Sequence, residues 1–251
     1  MQKNTPELWD NLWKETSEKE DRYNLVVEEN SIRWQRIEKV IIKKFGTFKN
    51  LNVIEIGAGA GTNALLFAKR GAKITILDYS KKALERSREF FQRNRCDAKY
   101  ILADALNLPK NILKKYDVSL SFGLAEHFQG KERIQIVKSH FDLINQHGVT
   151  IISVPHKYNF PYQLFMFASK LLGIWKFGEE YPFSKKEFIK ICKALGFLKP
   201  EFFGDSFFSS FRFINPFRIF RKKDIDSVNK EKGSFLDQYF AYSLVLVGKK
   251  N

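Results

Sequence analysis

The sequence predicts an α/β fold with a doubly wound parallel sheet, and three observations support that prediction. Apolar runs short enough for strands alternate with segments of helical periodicity between residues 51 and 154. The first two runs are separated by a glycine-rich turn and a helical segment. The second run ends on Asp78, about 20 residues after that turn, as in the nucleotide-binding half of such a sheet.

The predicted elements follow one another in the order that a parallel sheet requires. Apolar residues at helical spacing predict N-terminal helices that end near Gly46. Ser80 is placed to cap the helix after the second strand, and Gly148 follows a later helix. The predicted strands are 51–56, 72–78, 98–103, 116–122 and 149–154, and the helices between them are 62–69, 81–94 and 131–145.

Beyond Pro155 the sequence becomes aromatic. Residues 158–177 are apolar nearly all round a helix, which makes this segment a candidate lid. Ser184 and Glu187 form a capping box, which predicts a helix that ends at Gly196.

The last part of the chain returns to strand-like sequence. Residues 197–203 are compatible with a strand, residues 207–223 mix phenylalanine with arginine, and residues 239–247 form a β run. We therefore predict a single domain over residues 1–251, divided into N-terminal helices (1–48), a ligand-binding core (49–155), a lid and second-ligand region (156–235) and a final strand (236–251).

The loop Gly57-Ala58-Gly59-Ala60-Gly61 is predicted to bind a ligand, because alternate glycines leave no Cβ between ligand and backbone. A dinucleotide site would need Gly-x-Gly-x-x-Gly, and here the third glycine comes one residue early. Glu55, just before the loop, would repel a diphosphate but suits a ligand with a cationic amino-acid end.

Four motifs in order resemble those of the class I S-adenosylmethionine-dependent methyltransferases. They are Glu55-x-Gly57-x-Gly59-x-Gly61, Asp78, Ala103-Asp104-Ala105 and the segment 121–128, SFGLAEHF. The resemblance covers residues 50–155 and implies S-adenosylmethionine as cofactor, with S-adenosylhomocysteine as product. It also implies a seven-stranded Rossmann-like sheet of order 3-2-1-4-5-7-6, with the last strand antiparallel and inserted between the fifth and sixth.

The resemblance also implies roles for the residues of the glycine loop. Glu55 and Gly57 would face the methionine end of the cofactor. Ala58 belongs to the same loop, and Gly59 and Gly61 would let the backbone approach the ligand.

Further residues are implied to bind the adenosyl end. Asp78 would accept hydrogen bonds from the ribose hydroxyls, and Tyr79 would pack on the adenine. Asp104 would accept from the adenine amino group, the Ala105 backbone would read the ring, and Phe122 would cover its other side.

Two histidines are candidate catalytic bases. His127 follows the fourth strand and His156 the fifth, where an acceptor would meet the cofactor. Some members of this family bind a divalent metal with a Glu-x-x-Glu-His motif, in which the histidine corresponds to His127. This chain keeps Glu126 and His127 but has Gly123 in place of the first acid, so we predict no catalytic metal.

Composition leaves more than one acceptor class open. The net charge of +15, from 43 basic and 28 acidic residues, attracts polyanions without identifying one. The aromatic second half, which interleaves rings with cations, favours a small hydrophobic or lipid-like acceptor and contact with an anionic membrane surface. RNA or ribosome methylation is the alternative, less favoured because no Asn/Asp-Pro-Pro-aromatic signature follows the fourth strand. A second alternative is a non-catalytic protein that has the same fold and binds the cofactor.

Cysteine usage and the N-terminus predict a cytoplasmic protein. Cys96 and Cys192 lie far apart and have no metal-site spacing, which suits a reducing compartment. The charged N-terminus lacks an apolar signal region, and the later apolar stretch is interrupted by Lys170 and Lys176.

Overall fold

The computed structural model describes residues 4–15, 17–197, 199–215 and 224–250. The strands are β1 Asn52–Ile56, β2 Lys73–Asp78, β3 Ala98–Leu102, β4 Tyr116–Phe122, β5 Ile144–Pro155, β6 Glu201–Gly204 and β7 Ser243–Lys249. They form one seven-stranded sheet of order β3-β2-β1-β4-β5-β7-β6. Strands β1 to β5 are parallel, and β7 is antiparallel to both β5 and β6. The predicted fold class and sheet order are confirmed.

Helices cover both faces of this sheet. They are α1 Pro6–Glu15, α2 Glu18–Asn30, α3 Ile32–Phe45, α4 Thr62–Ala68, α5 Lys81–Arg93, α6 Gly130–Leu143, α7 Phe160–Leu171, α8 Lys185–Ala194 and α9 Asp237–Phe240. One core lies between the sheet and α3, α4 and α5, and a second between the sheet and α6 and α8.

Strand β1 shows why the central strands are apolar throughout. Val53 packs in the first core with Trp34 of α3, whereas the neighbouring Ile54 packs in the second core with Phe141 of α6. Successive side chains of a strand point to opposite faces, so a strand covered by helices on both sides needs apolar residues at every position.

The helix ends follow the capping residues that the sequence predicts. The Ser80 hydroxyl accepts a hydrogen bond from Ala83 N at 3.0 Å, and the Ser184 hydroxyl accepts one from Glu187 N at 3.2 Å. Gly46 ends α3 with a φ of 73°, a left-handed conformation that glycine adopts without strain.

The final strand begins later than the predicted residue 239. Residues 237–240 form α9 instead, and β7 starts at Ser243. The buried carboxylate of Asp237 accepts hydrogen bonds from Ser234 N at 2.8 Å and from Phe207 N at 2.9 Å. These bonds stabilise a helical turn where the apolar pattern alone predicts an extended strand.

Strand β6 is shorter than the predicted segment 197–203. It begins at Glu201, because Lys199 has a φ of 51° and Pro200 has no N–H to donate to a strand partner. The fifth strand is longer than predicted and begins at Ile144, with an irregularity in its pairing to β4 between Tyr116 and Val118.

The aromatic lid candidate contains α7, which buries Pro161, Tyr162 and Ser169. Its outer side carries a stripe of exposed apolar residues, which we call the α7 stripe: Phe160, Leu164, Phe167 and Leu171. The second aromatic segment is described only as far as residue 215, as a 3-10 helix over Phe208–Phe213, and residues 216–223 lie outside the described part. Within the described ranges, no helix is long and apolar enough to cross a membrane.

Candidate functional site

A cavity of about 580 Å³ lies at the carboxyl ends of the parallel strands. Each of the first four strands delivers a residue to its wall: Gly57 after β1, Asp78 at the end of β2, Asp104 after β3 and Phe122 at the end of β4. In open α/β sheets, ligands bind at this edge, where the strand order changes direction.

The glycine loop forms the floor of the cavity through Gly57, Ala58 and Gly59. Both of these glycines have positive φ, at 60° and 55°. A Cβ on Gly57 would lie 2.6 Å from the Leu124 side chain, and one on Gly59 would lie 2.2 Å from the Trp13 ring. These positions therefore require glycine for conformation and for space.

Gly61 has a different environment from the other two glycines. It is not among the residues that line the cavity, and a Cβ there would meet Ser87 Oγ of α5 at 3.0 Å and Ile76 at 3.2 Å. Gly61 thus permits close packing of the loop against the core.

Glu55 is also separate from the cavity wall. Its Oε2 accepts a hydrogen bond from Ala64 N at 2.7 Å, in the first turn of α4. The residue before that helix is Gly61, which has no side chain to cap it, so Glu55 supplies the missing acceptor. Burial raises the pKa of Glu55 to about 8.

Asp78 connects β2 to the glycine loop. One carboxylate oxygen accepts from Gly59 N at 3.1 Å and the other from Ser80 N at 2.9 Å. Burial raises the pKa of Asp78 to about 6. Since an ionised carboxylate has about four acceptor positions, the side chain retains capacity for ligand hydroxyls.

The remaining predicted adenosyl contacts come from the carboxyl ends of β2, β3 and β4. Tyr79, Asp104, Ala105 and Phe122 all line the cavity. Asp104 Oδ1 accepts from Leu106 N at 2.8 Å, which fixes the turn after β3. The structure therefore brings these four residues to the cavity, as it does Gly57, Ala58, Gly59 and Asp78.

His127 also lines the cavity and lies in the 3-10 turn Ala125–His127. Its Nδ1 is 2.8 Å from the Glu179 carbonyl oxygen, and a carbonyl can only accept, so Nδ1 carries the proton. In the neutral ring Nε2 is then an acceptor. Burial lowers the pKa of His127, which favours this neutral form at pH 7.

His156 is not among the residues that line the cavity. It is buried, its ring packs edge-on against Tyr158, and its side chain bonds to the Ala241 carbonyl. Burial lowers its pKa to about 4, so it is a neutral structural histidine at pH 7.

Two acids beside His127 complete the polar wall. Glu126 and Glu180 are buried and line the cavity. The Tyr162 hydroxyl donates to Glu180, and burial raises the pKa of that carboxyl to about 7. Sequence reasoning missed Glu180, since it lies in the connection after α7, where no strand, motif or periodic pattern marks it.

The other walls are apolar and come from segments outside the sheet. Rings from the aromatic second half that line the cavity are Tyr162, Phe165, Trp175, Phe177, Phe213 and Tyr242. From the N-terminus, α1 contributes Trp9, Leu12 and Trp13. The Trp9 ring meets the His127 ring edge-on, with centroids 4.9 Å apart.

Comparison with known proteins agrees with this geometry. A family model described as a methyltransferase domain matches residues 53–148. The chain is similar to curated proteins named ubiquinone biosynthesis O-methyltransferase. The protein from Rickettsia canadensis is 23% identical over 156 residues, which are 62% of this chain and 64% of the relative. The protein from Pelagibacter ubique is 28% identical over 134 residues, 51% of this chain and 54% of the relative. The chain thus spans less than two thirds of the length of these two proteins.

Solved structures share the fold. Magnesium protoporphyrin IX methyltransferase from Synechocystis with bound S-adenosylhomocysteine superimposes with a TM-score of 0.57 at 17% identity, covering 87% of this chain and 83% of that one. A possible histamine N-methyltransferase from Thermotoga maritima superimposes with a TM-score of 0.57 at 16% identity. The match covers 87% of this chain and 93% of that one. The sheet order and these solved structures show the fold of the class I S-adenosylmethionine-dependent methyltransferases, and residues 53–148 match the methyltransferase-domain model.

Proposed function

We propose that this chain binds S-adenosylmethionine and transfers its methyl group to an oxygen atom of a small apolar acceptor. The observation that carries the proposal is the continuity of the cavity. The same cavity is lined by the glycine loop and Asp78 and by an aromatic chamber with a polar wall at His127.

The cavity has the groups that the cofactor requires. Gly57, Ala58 and Gly59 line the cavity, and Asp78 keeps acceptor capacity for ribose hydroxyls. Tyr79 and Phe122 offer ring faces to the adenosyl group. When bound, the cofactor supplies an activated methyl on a sulfonium, so the protein's contribution is alignment and exclusion of water.

Transfer to a hydroxyl oxygen also requires a proton acceptor, and we propose His127 for that role. Its Nε2 is the acceptor of a neutral ring, and Nδ1 is fixed by the Glu179 carbonyl. A base held within reach of the acceptor contributes typically 10²–10⁴-fold in rate. The names of the curated relatives, all O-methyltransferases, support oxygen as the methylated atom.

Lipid-like acceptors would reach the cavity most readily from a membrane surface, and we propose peripheral contact through α7. The α7 stripe leaves Phe167 66% and Leu171 78% exposed. Two lysines are close in sequence: Lys170 lies over the Trp175 ring, and Lys176, whose side chain is 65% exposed, pairs with Glu15. Apolar residues next to lysines, on a chain of net charge +15, suit an anionic bilayer surface.

The test of methyl transfer is incubation with methyl-labelled S-adenosylmethionine and a panel of apolar phenols and alcohols, followed by mass spectrometry. Phe213→Ala, which removes a ring from the chamber, should raise KM for the acceptor and leave cofactor affinity unchanged. Phe208→Ala is the matched control, because Phe208 belongs to the same 3-10 segment but is 60% exposed. Label found only in nucleic acid or protein would contradict the proposal.

A further inference from the structure

Three potential metal ligands come together on the polar wall of the cavity. Glu126, His127 and Glu180 each offer one side-chain atom, and these atoms lie within 4.8 Å of one another. Two come from the turn after β4 and the third from the connection after α7. The proposed methyl transfer uses only His127 from this group.

Glu126 is buried in an unusual way. The residue is 2% exposed, lines the cavity, and its Oε2 has no hydrogen-bond partner among the described residues. An unpartnered buried carboxylate oxygen is costly unless a ligand satisfies it. A second carboxylate within reach makes the cost larger, because two like charges in a buried site repel each other.

The nearby cations of the protein are engaged elsewhere. The Arg133 guanidinium bonds to both carboxylate oxygens of Glu187, at 2.6 and 3.2 Å, and to the carbonyls of Phe128 and Tyr181. Lys170 Nζ lies over the Trp175 ring, 5.6 Å from its centroid. Neither Glu126 nor Glu180 forms an ion pair with a described residue. Arg133 and Lys170 act on these two carboxylates only through space, so a bound cation would balance their charge more directly.

The absence of an acid at position 123 has a structural counterpart. Gly123 has a φ of 81°, a conformation that an acidic side chain adopts only with strain. A Cβ built there would lie 3.5 Å from Glu126 Oε1. A side chain at position 123 would therefore start beside Glu126, and in this chain the second carboxylate near Glu126 comes from Glu180 instead.

We propose that Glu126, His127 and Glu180 bind a divalent cation, with Glu180 supplying the ligand that position 123 lacks. Two carboxylates and one imidazole suit Mg²⁺, Mn²⁺ or Zn²⁺. The proposal replaces our expectation of no metal, which considered only ligands within one motif. A role of the cation in catalysis rests on the proposed function, but cation binding itself does not depend on methyl transfer.

Such a site would also hold the two sides of the cavity together. The Glu179 carbonyl already accepts from His127 Nδ1, and Asn4 Nδ2 donates to the carbonyls of both residues. A cation shared by Glu126 and Glu180 would add a link between β4 and the lid segment. His127 Nε2 can either bind a cation or accept a proton, but not both at once. Direct measurement of cation binding distinguishes these two roles.

The experiment is a titration of the metal-free protein with Mn²⁺, followed by the electron paramagnetic resonance signal of the free ion and by calorimetry. The native chain should bind one Mn²⁺. Glu126→Gln and Glu180→Gln should each weaken binding by more than about tenfold, since even outer partners of metal ligands contribute 10–100-fold.

Glu179→Gln is the matched control. It removes the same charge one residue away, but the Glu179 carboxylate bonds to the Tyr181 hydroxyl rather than to the cluster. Affinity equal to that of the native chain is expected, and circular dichroism of all three variants checks that they fold.

Two results would overturn the proposal: no Mn²⁺ binding by the native chain at millimolar concentration, or equal weakening by Glu179→Gln and Glu180→Gln. A parallel titration with S-adenosylhomocysteine keeps the two proposals apart. Cofactor binding without Mn²⁺ binding would reject the cation site alone. Mn²⁺ binding without any methylated product would reject the proposed function and leave the cation site standing.

Discussion

Glycines in one short loop perform different tasks, and their neighbours decide which. Gly57 and Gly59 line the cavity, whereas Gly61 packs against α5 and leaves the first turn of α4 to be capped by Glu55. The spacing of the motif could predict that glycine is needed at all three positions. It could not predict which faces the ligand, because that depends on Ser87 and other residues distant in sequence.

The carboxylates show the same limit of sequence reasoning. Asp78 and Asp104 could be predicted because each follows a strand at a family-like distance, and the topology places strand ends together. Glu180 could not, since its position depends on how the connection after α7 returns to the cavity. Only the packed structure brings it beside Glu126.

The first prediction concerns Gly59. Gly59→Ala should lower affinity for S-adenosylhomocysteine strongly, because the added Cβ would lie 2.2 Å from the Trp13 ring and narrow the cavity floor. Gly173→Ala is the control, since Gly173 also has positive φ, at 69°, but has nothing within 4 Å of the added Cβ. Calorimetric titration of both variants measures the difference. If Gly59→Ala bound S-adenosylhomocysteine as tightly as Gly173→Ala, the lack of space at Gly59 would not matter for cofactor binding.

The second prediction concerns Asp78. Asp78→Asn keeps the shape of the side chain but has only one oxygen, whereas the two oxygens of Asp78 accept hydrogen bonds from Gly59 N and Ser80 N. Cofactor affinity should therefore fall by about 1–3 kcal/mol. The carboxyl pKa of about 6 adds a pH signature. In the native chain S-adenosylhomocysteine affinity should weaken as the pH falls from 7 to 5, because the protonated carboxyl accepts fewer hydrogen bonds.

The control for Asp78 is Asp97→Asn, at an exposed acid just before β3. Titrations at pH 5, 6 and 7 should show native affinity and native pH dependence for this variant. If Asp78→Asn bound the cofactor as tightly as the native chain, Asp78 would not be the ribose ligand.

At the scale of elements, periodicity predicted the central sheet well. Strand β4 lies over the predicted residues, and Ser80 and Ser184 cap the predicted helices. These elements depend on local sequence, through alternating burial and backbone capping. The segments beyond Pro155 were predicted less well, because long-range bonds such as those of Asp237 decide between helix and strand.

Helix α6 carries the third prediction, at His140. Its ring is fully buried, and neither nitrogen has a hydrogen-bond partner in the described part of the chain. Burial lowers the pKa to about 3, against 6.5 for an exposed histidine. Between these values the unfolded chain binds a proton that the folded chain does not. His140 should therefore reduce the free energy of unfolding as the pH falls below 6.5, by up to about 1.4 kcal/mol per pH unit.

The measurement is urea unfolding at several pH values between 7 and 5 for the native chain and His140→Leu. The variant should lose less stability on acidification than the native chain. His147→Leu, at an exposed position, should follow the native curve. Other buried groups, such as Glu55 and His156, are common to all three proteins. Their contributions to the pH dependence of unfolding therefore cancel in this comparison. Parallel curves for the native chain and His140→Leu would contradict the prediction.

At the scale of the whole molecule, exposed apolar surface and net charge act together. The sequence predicted aromatic segments that cover the cavity, and Phe165, Trp175 and Phe213 do line it. It could not predict that Phe160 and Phe167 would face solvent, since α7 is apolar on every side. Which side is left exposed depends on the packing of Tyr162 against its neighbours.

The fourth prediction tests this surface. Replacement of Phe160, Phe167 and Leu171 by serine should abolish binding to anionic vesicles, because the α7 stripe supplies the apolar contact. The native chain should bind such vesicles with an affinity that falls as salt rises. Sedimentation of vesicles across a salt series measures both effects.

A matched triple variant serves as control for the α7 stripe. Ile42, Leu102 and Ile134 are also exposed apolar residues, at 49%, 51% and 41%, but lie on other elements. Their replacement by serine should leave vesicle binding intact. Salt-dependent binding of single-stranded RNA, with no affinity for vesicles, would reject membrane contact and favour a nucleic-acid acceptor.

Helix α1 would limit how fast the protein can exchange its cofactor. None of its ten residues is buried, yet the Trp13 ring rests on Gly59, and Asp10 accepts a hydrogen bond from the Ser80 hydroxyl. A short helix with so little buried surface opens more readily than the core beneath it. Spent cofactor on the loop would leave only when Trp13 lifts, so the opening rate of one N-terminal helix would set the upper bound on turnover.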